Sequence, residues 1–238
     1  MPLVTLSEPR SHAAECYRNL RTSILFSSGR PIPKSLLVTS AIAGEGKSTT
    51  AANLAVVMAQ SGLKTVLIDA DLRRPALQRY FARDPKKGIL RLLTEGARVE
   101  ESVQDSGVPS LSLLLCNTVP KNPSEILGTN RTREVIEELS AKYDVVIIDS
   151  PVVVSVPDAL ILASRSAAVL LVHRPGASQR ELVRHAREKL DEVRANILGL
   201  VLNYVDIKSG RYLYPEYAYY GYGTEEQQAP AKERKRKL

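Results

Sequence analysis

Tryptophan is absent from these 238 residues, and phenylalanine, methionine and cysteine occur only twice each. Cys16 and Cys116 are too few and too far apart for a disulfide framework or a metal site. The three histidines, His12, His173 and His185, are scattered, which points to surface or strand-end positions. No apolar run approaches the ~20 residues a membrane span needs, and Met1-Pro2-Leu3-Val4 lacks the basic and apolar blocks of a secretory leader. These absences predict a reduced, cytosolic chain. An even spread of charge is missing too. The formal net charge is +7, but the last eight residues hold five cations against Glu233, a net +4, which leaves +3 for the rest. That argues against a broad nucleic-acid footprint and for a local basic tail. The tail either keeps the end solvated, the preferred reading, or touches anionic lipid.

What is present is ample for a packed core, with 44% hydrophobic and 25% charged residues. Short apolar runs at 35–39, 64–69, 110–116, 144–149, 167–172 and 197–202 read as strands. Helical spacing appears between them, at 50–61, 75–81, 88–94, 130–142 and 179–194, with a helix start at Pro123 and Asn122 as its cap. Apolar strands alternating with helices predict an α/β fold, a doubly wound, mostly parallel sheet with helices on both faces, P-loop NTPase-like, spanning 1–206. Residues 207–238 form a tyrosine-rich, basic tail whose polar end reads as disorder.

The most informative stretch follows the first strand: Ala43-Gly44-Glu45-Gly46-Lys47-Ser48-Thr49. Strand, glycine loop, Lys-Ser and helix form the context of a phosphate-binding loop. Glycine lets successive N–H groups turn toward one anion, and the helix start adds its positive dipole end. Lys47 places a charge on the outer phosphates and Ser48 can ligate Mg²⁺. Ala41 stands where the usual motif has its first glycine. A plain strand–turn–helix corner explains the glycines but not Lys47-Ser48-Thr49.

Ligands of open parallel sheets bind beyond the carboxyl ends of the strands. Two further strand ends there carry carboxylates, Asp69 and Asp71 on one and Asp149 on the other. Asp149 is the Walker B candidate for the metal, although an Asp at a strand end is also a common turn former. Asp69 is the candidate base for a tyrosine hydroxyl, with a share in metal coordination; the competing role is to organise water around Mg²⁺. One of the pair Asp69 and Asp71 faces the phosphates, while the other pairs with Arg73 or Arg74. An amphipathic helix at 11–27 carries Glu15, Arg18 and Arg21 on or beside its polar face, either solvated or matched to another subunit. Six of the ten tyrosines, Tyr212, Tyr214, Tyr217, Tyr219, Tyr220 and Tyr222, cluster in the tail.

Together these features resemble the cytoplasmic catalytic domain of the bacterial tyrosine kinases, the autokinases of capsule and exopolysaccharide synthesis. The loop at 43–49 resembles their Walker A, and Val66-Leu67-Ile68-Asp69-Ala70-Asp71-Leu72-Arg73-Arg74-Pro75 is similar to their second, A′ motif. Val145-Val146-Ile147-Ile148-Asp149-Ser150-Pro151 resembles their Walker B. Glu15, Arg18 and Arg21 fit the family's E-x-x-R-x-x-R pattern, and Asn122-Pro123-Ser124-Glu125 its N-P-x-E segment. Val152 departs from a usual proline. Ile42 stands where partitioning ATPases carry a signature lysine, which argues against that class. The resemblance implies a tyrosine autokinase using ATP and Mg²⁺, with Lys47, Asp69, Asp71 and Asp149 as catalytic residues and Ser48, Asp69 and Asp149 at the metal. It implies that the tail tyrosines are the acceptors, in a neighbouring subunit of a ring-like homo-oligomer built through Glu15, Arg18 and Arg21. It further implies a separate membrane activator of the polysaccharide co-polymerase type, recruitment to the inner face of the membrane, and other protein substrates. Asn203 would read the adenine or simply cap its strand. The alternatives are a P-loop ATPase switch and a nucleotide-binding scaffold without kinase activity.

Overall fold

The computed structural model describes residues 2–26, 31–85 and 88–205. The tail expectations at 207–238, its six tyrosines included, therefore lie outside the described residues. The chain divides into a unit Met1–Asn203 and a unit Tyr204–Leu238.

The first unit is built on one seven-stranded sheet of order β3-β4-β2-β5-β1-β6-β7. The strands are β1 (Ser35–Ser40), β2 (Thr65–Asp69), β3 (Gln104–Asp105), β4 (Leu111–Leu114), β5 (Val145–Asp149), β6 (Ala168–His173) and β7 (Ile197–Leu202). Every pairing is parallel except that of β3 with β4. The doubly wound sheet expected from the alternation of strands and helices is what forms. β3, two residues long and polar, carries no apolar alternation to betray it. The helices are α1 (Val4–Ser7), α2 (His12–Phe26), α3 (Lys47–Gln60), α4 (Gln78–Phe81), α5 (Ile89–Thr94), α6 (Val99–Ser102), α7 (Pro123–Gly128), α8 (Asn130–Lys142), α9 (Asp158–Ala163) and α10 (Arg180–Glu192).

The period of two along each central strand divides the core. Leu37, Val66, Ile68, Val146 and Ile148 pack on one face with Leu139 of α8, Leu162 of α9 and Leu190 of α10. Leu36, Val38, Leu67, Val145 and Ile147 pack on the other with α3. Both faces are covered, so the strands are apolar throughout their centres.

α3 lies between the sheet and the N-terminal helices, with its residues from Ala51 through Ala59 all buried. Its alanines permit that close approach on both sides. Asn53 ties the layers together. Its Oδ1 accepts from the Thr5 backbone N–H at 3.1 Å and the Thr5 hydroxyl at 2.8 Å, while its Nδ2 donates to the Thr49 carbonyl at 2.9 Å. Asn53→Ala would strand the buried donors of Thr5 and is expected to cost about 3 kcal/mol. The midpoint of urea unfolding checks this; a shift equivalent to less than about 1 kcal/mol would show that α1 contributes little.

Two local expectations are corrected. The helix expected from Pro75 begins only at Gln78, and the Ala76 and Leu77 N–H groups before it are satisfied by Asp69 Oδ2, at 3.1 and 3.0 Å. Asn122 occupies the N-cap position of α7, but its side chain donates to Glu125 rather than capping the backbone.

Candidate phosphate-handling site

β1, β2 and β5 are adjacent and parallel, so their carboxyl ends form one crest. Asp69 and Asp149 are register partners across the β2–β5 pair, and Val38 of β1 is register partner to Asp149 on its other side. The loop after β1 turns over this crest into α3. Gly44 at φ 85° and Gly46 at φ 91° take the left-handed conformation that the turn requires. Ala41 has no positive φ, and it is buried in the core beside Leu37 and Val66. Its methyl packs where the usual glycine has none, so this departure from the motif strains nothing.

Lys47, Asp69, Asp71 and Asp149 converge. Lys47 Nζ donates to Asp71 Oδ2 at 3.0 Å and lies 3.4 Å from Ser48 Oγ. Burial disfavours the lysine charge, but the carboxylates of Asp149, Asp71 and Asp69 outweigh it and raise the Lys47 pKa. Asp71 therefore pairs with Lys47 rather than with Arg73 or Arg74, and Arg73 pairs with Asp158. Asp71 meets Arg74 only through the backbone, its Oδ1 accepting from the Arg74 N–H at 3.0 Å.

The two strand-end carboxylates are under-satisfied. Asp149 is fully buried and, among the described residues, neither of its oxygens is hydrogen-bonded, while Asp69 has Oδ2 engaged but no partner there for Oδ1. Burial drives both pKa values up. At Asp69 the charge of Asp149 adds to this, and the two backbone N–H bonds oppose it. At Asp149 the Lys47 charge and the nearby Ser48 hydroxyl oppose it, although that hydroxyl makes no hydrogen bond of normal geometry to either oxygen. Carboxylate oxygens desolvated and unbonded beside a lysine and a serine hydroxyl suit a hydrated divalent cation. Among the described residues no group of three or more His, Cys, Asp or Glu gathers for a metal. A cation here would rest on Asp149, Ser48 and Asp69 with phosphate and water, the ligand set Mg²⁺ prefers.

Glu45 and His173 form a constellation that sequence reasoning passed over. Glu45 is fully buried inside the phosphate loop. Its Oε1 accepts from His173 Nδ1 at 2.9 Å, Ser178 Oγ at 2.9 Å and the Arg174 N–H at 3.3 Å, and its Oε2 accepts from the Ile42 N–H at 3.0 Å. Asn203 Nδ2 donates to the Glu45 carbonyl at 3.0 Å. The loop is thus tied to the ends of β6 and β7. An acidic residue between two loop glycines was the available signal, and Ala43, Gly44 and Thr49 otherwise sit where expected. Thr49 Oγ1 lies 2.8 Å from the Tyr80 hydroxyl.

The loop after β5 is fastened to β1. Thr39 Oγ1 donates to the Pro151 carbonyl, Ser150 Oγ to the Val38 carbonyl, and the Val153 N–H to the Ser40 carbonyl. These bonds hold it without a second proline at Val152. On α2, Glu15 and Arg18 pair with each other at the surface, and Arg21 Nη1 donates to the Val57 carbonyl at 3.0 Å. Arg21 thus helps seat α2 on α3, leaving Glu15 and Arg18 facing outward.

Residues 34–194 match the family model described as an AAA domain. The tyrosine-protein kinase YwqD of Bacillus subtilis (strain 168) is 39% identical over 219 residues, covering 92% of this chain and 91% of that protein. The putative tyrosine-protein kinase EpsB of Ralstonia solanacearum is 36% identical over 90% of this chain, but the chain spans only 29% of EpsB. Among solved structures, the kinase domain of Escherichia coli tyrosine kinase ETK is similar with a TM-score of 0.81 and 32% identity, covering 85% of this chain and 80% of that one. The chimerical protein CapA2B2 gives a TM-score of 0.81 at 32% identity, covering 85% of this chain and 89% of that one.

Proposed function

This chain belongs to the bacterial tyrosine-protein kinases, and we propose that it transfers the γ-phosphoryl group of Mg-ATP to tyrosines of its own C-terminal segment in a neighbouring subunit. The enzyme class follows from the family; the metal, the acceptor and the subunit arrangement are our reading. The observation that carries it is the set of buried, unpartnered oxygens on Asp69 and Asp149 beside Lys47. Bound there, Mg²⁺ would neutralise phosphate charge, held by Asp149 and Ser48 with Asp69 sharing it or ordering its water.

The chain's own groups supply the rest. Backbone N–H groups of Ala43, Gly44, Glu45, Gly46, Lys47, Ser48 and Thr49 cradle the phosphates. Lys47, held by Asp71, contributes fixed positive charge where negative charge builds up during transfer. Asp69, whose Oδ1 makes no hydrogen bond among the described residues, is the candidate acceptor for the proton of the attacking tyrosine hydroxyl, in place of a ligand role for that oxygen. Asn203, at the end of β7 beside the loop, reads the adenine. Catalysis is positioning and charge neutralisation rather than covalent chemistry.

The acceptors are Tyr212, Tyr214, Tyr217, Tyr219, Tyr220 and Tyr222. Six phosphates would add roughly −9 to −12 charges, more than cancelling the +7 of the chain. Unmodified tails then dock in adjacent subunits of a ring contacting through Glu15 and Arg18 of α2, which Arg21 seats on α3, and accumulated phosphate drives the ring apart. The assembly regulates polysaccharide synthesis or export at the inner face of the membrane, under a separate membrane activator of the polysaccharide co-polymerase type. No described helix is long and apolar enough to cross a membrane.

Mass spectrometry after incubation with Mg-ATP tests the reading. Phosphotyrosine confined to 212–222, lost when EDTA removes the metal, is the expected result. Mixing a Lys47→Met chain that keeps its tail with an active chain whose six tail tyrosines are phenylalanine should place phosphate on the former. Modification elsewhere only, or none on the inactive chain at any concentration, overturns the acceptor or the neighbouring-subunit arrangement respectively.

A further inference from the structure

Asn122-Pro123-Ser124-Glu125 and the arginine pair after Asp71 have no part in the chemistry described so far. The fold brings them together. Arg73 Nε donates to Asp158 Oδ2 at 2.9 Å, and its Nη2 donates to Asp158 Oδ1 at 3.0 Å and Ser124 Oγ at 2.9 Å. Ser124 Oγ in turn donates to Asp158 Oδ1 at 2.6 Å. Asp158 is fully buried at the first position of α9, and Ser124 is the second residue of α7. Three segments separated by 34 to 85 positions thus close into one hydrogen-bonded ring.

From this ring we infer that Asp158, Arg73 and Ser124 form a clamp that positions Asp71, and through it Lys47, for phosphoryl transfer. Arg73 lies two residues beyond Asp71. The intervening turn is closed by the Arg74 N–H, which donates to both the Asp71 carbonyl and Asp71 Oδ1. Asp71 Oδ2 is left to hold Lys47. On the other side, Asp69 Oδ2 holds the Ala76 and Leu77 N–H groups. The turn is pinned from the sheet by Asp69 and from the helical layer by Asp158. A bidentate arginine–carboxylate pair fixes direction as well as distance. Asp158 is fully buried but the Arg73 side chain is more than a third exposed, so solvent screens the pair and its net stability is small; its geometry is the better account of its presence. Arg73 and Asp158 act through Asp71; they are positioning residues, and this role rests on the phosphate-handling assignment of Lys47.

The test compares the parent chain with Arg73→Lys, which keeps the charge and loses the fork, and with Arg73→Met combined with Asp158→Leu, which removes both charges. Melting temperature, kcat and KM for a tyrosine peptide, and the rate at which an amine-acylating reagent labels Lys47 are read on each. The double variant should melt close to the parent, lose at least 30-fold in kcat with less than a threefold change in KM, and label at Lys47 at least five times faster (roughly the scale of one lost charged hydrogen bond). Adding Asp71→Asn to it should cost less than threefold more, because Asp71 has already lost its placement. Should the double variant unfold, Arg73→Lys carries the same comparison, and only a folded variant with kcat reduced and Lys47 released supports the clamp. A folded variant with parental kcat and parental Lys47 labelling overturns it. A parent that phosphorylates no tyrosine sinks the functional reading instead, and Lys47 labelling alone then decides the clamp.

Discussion

Replacing Asp149 by asparagine is expected to abolish tyrosine phosphorylation and yet make the nucleotide-free protein melt at a higher temperature. Asp149 is fully buried at the end of β5 with both oxygens unbonded. The ionised form is therefore costly in the empty site, and its pKa is raised. The neutral amide removes that cost, for a gain of about 1–2 kcal/mol, or roughly 2–8 °C in a chain of this size. Phosphorylation should fall by about 10³-fold, the scale of removing one preorganised electrostatic group. Lys47→Met should lose activity to a similar degree but move stability the other way. It leaves Asp69, Asp71 and Asp149 without the cation that all three help to hold. Two inactivating changes with opposite shifts in melting temperature are hard to obtain unless these groups share one site.

The same argument fixes a pH dependence. A carboxyl whose folded pKa lies above its unfolded value keeps its proton in the native state while the unfolded chain has lost it. The native state then binds more protons, and stability falls as pH rises through that window. Asp69 and Asp149 both have raised pKa values. Nucleotide-free protein should therefore lose stability from the ordinary carboxylate range upward, through about 6 for Asp149 and about 8 for Asp69. Asp149→Asn should flatten the slope, and Mg²⁺ with nucleotide should flatten it further. Differential scanning fluorimetry across pH, with and without Mg²⁺ and nucleotide, reads all three. A parent whose melting temperature climbs toward neutrality would refute the assignment.

Glu45→Ala is the second large effect. The side chain accepts from the Ile42 N–H of its own loop and from the His173 imidazole, the Arg174 N–H and the Ser178 hydroxyl at and just after the end of β6. Alanine leaves these donors facing a void, at a cost of about 3–5 kcal/mol. The phosphate loop would lose its link to β6, so nucleotide affinity should drop at least tenfold even where the protein remains folded. Glu45→Gln keeps an acceptor oxygen and should lie between. Urea unfolding and titration with a fluorescent ATP analogue separate the two consequences. Parental affinity in a folded Glu45→Ala protein would show that the glycines alone shape the loop.

Much of this architecture was legible because the central strands are apolar through their centres. Leu36-Leu37-Val38 and Val146-Ile147-Ile148 can only be buried on both faces, which implies helices above and below. The convergence of Lys47 with Asp69, Asp71 and Asp149 was legible for the same reason. Adjacent parallel strands deliver their last residues to one crest. The partners of those residues were not legible, since they come from elements without a periodic signature. Asp158 begins a six-residue helix that the sequence did not announce, so its claim on Arg73 was hidden. His173 looked like an incidental strand end because Glu45, its partner, lies 128 positions away.

The sheet order also fixes the rim at which the chain leaves the first unit. β7 runs parallel to β6, so the polypeptide departs from the same rim that bears the phosphate loop. It is displaced sideways by two strand spacings, about 10 Å. Tyr212 is ten residues past Leu202, with a contour length of roughly 35 Å. On the proposed reading, tether length alone does not choose between a subunit's own site and a neighbour's, so the mixed-chain experiment makes that choice.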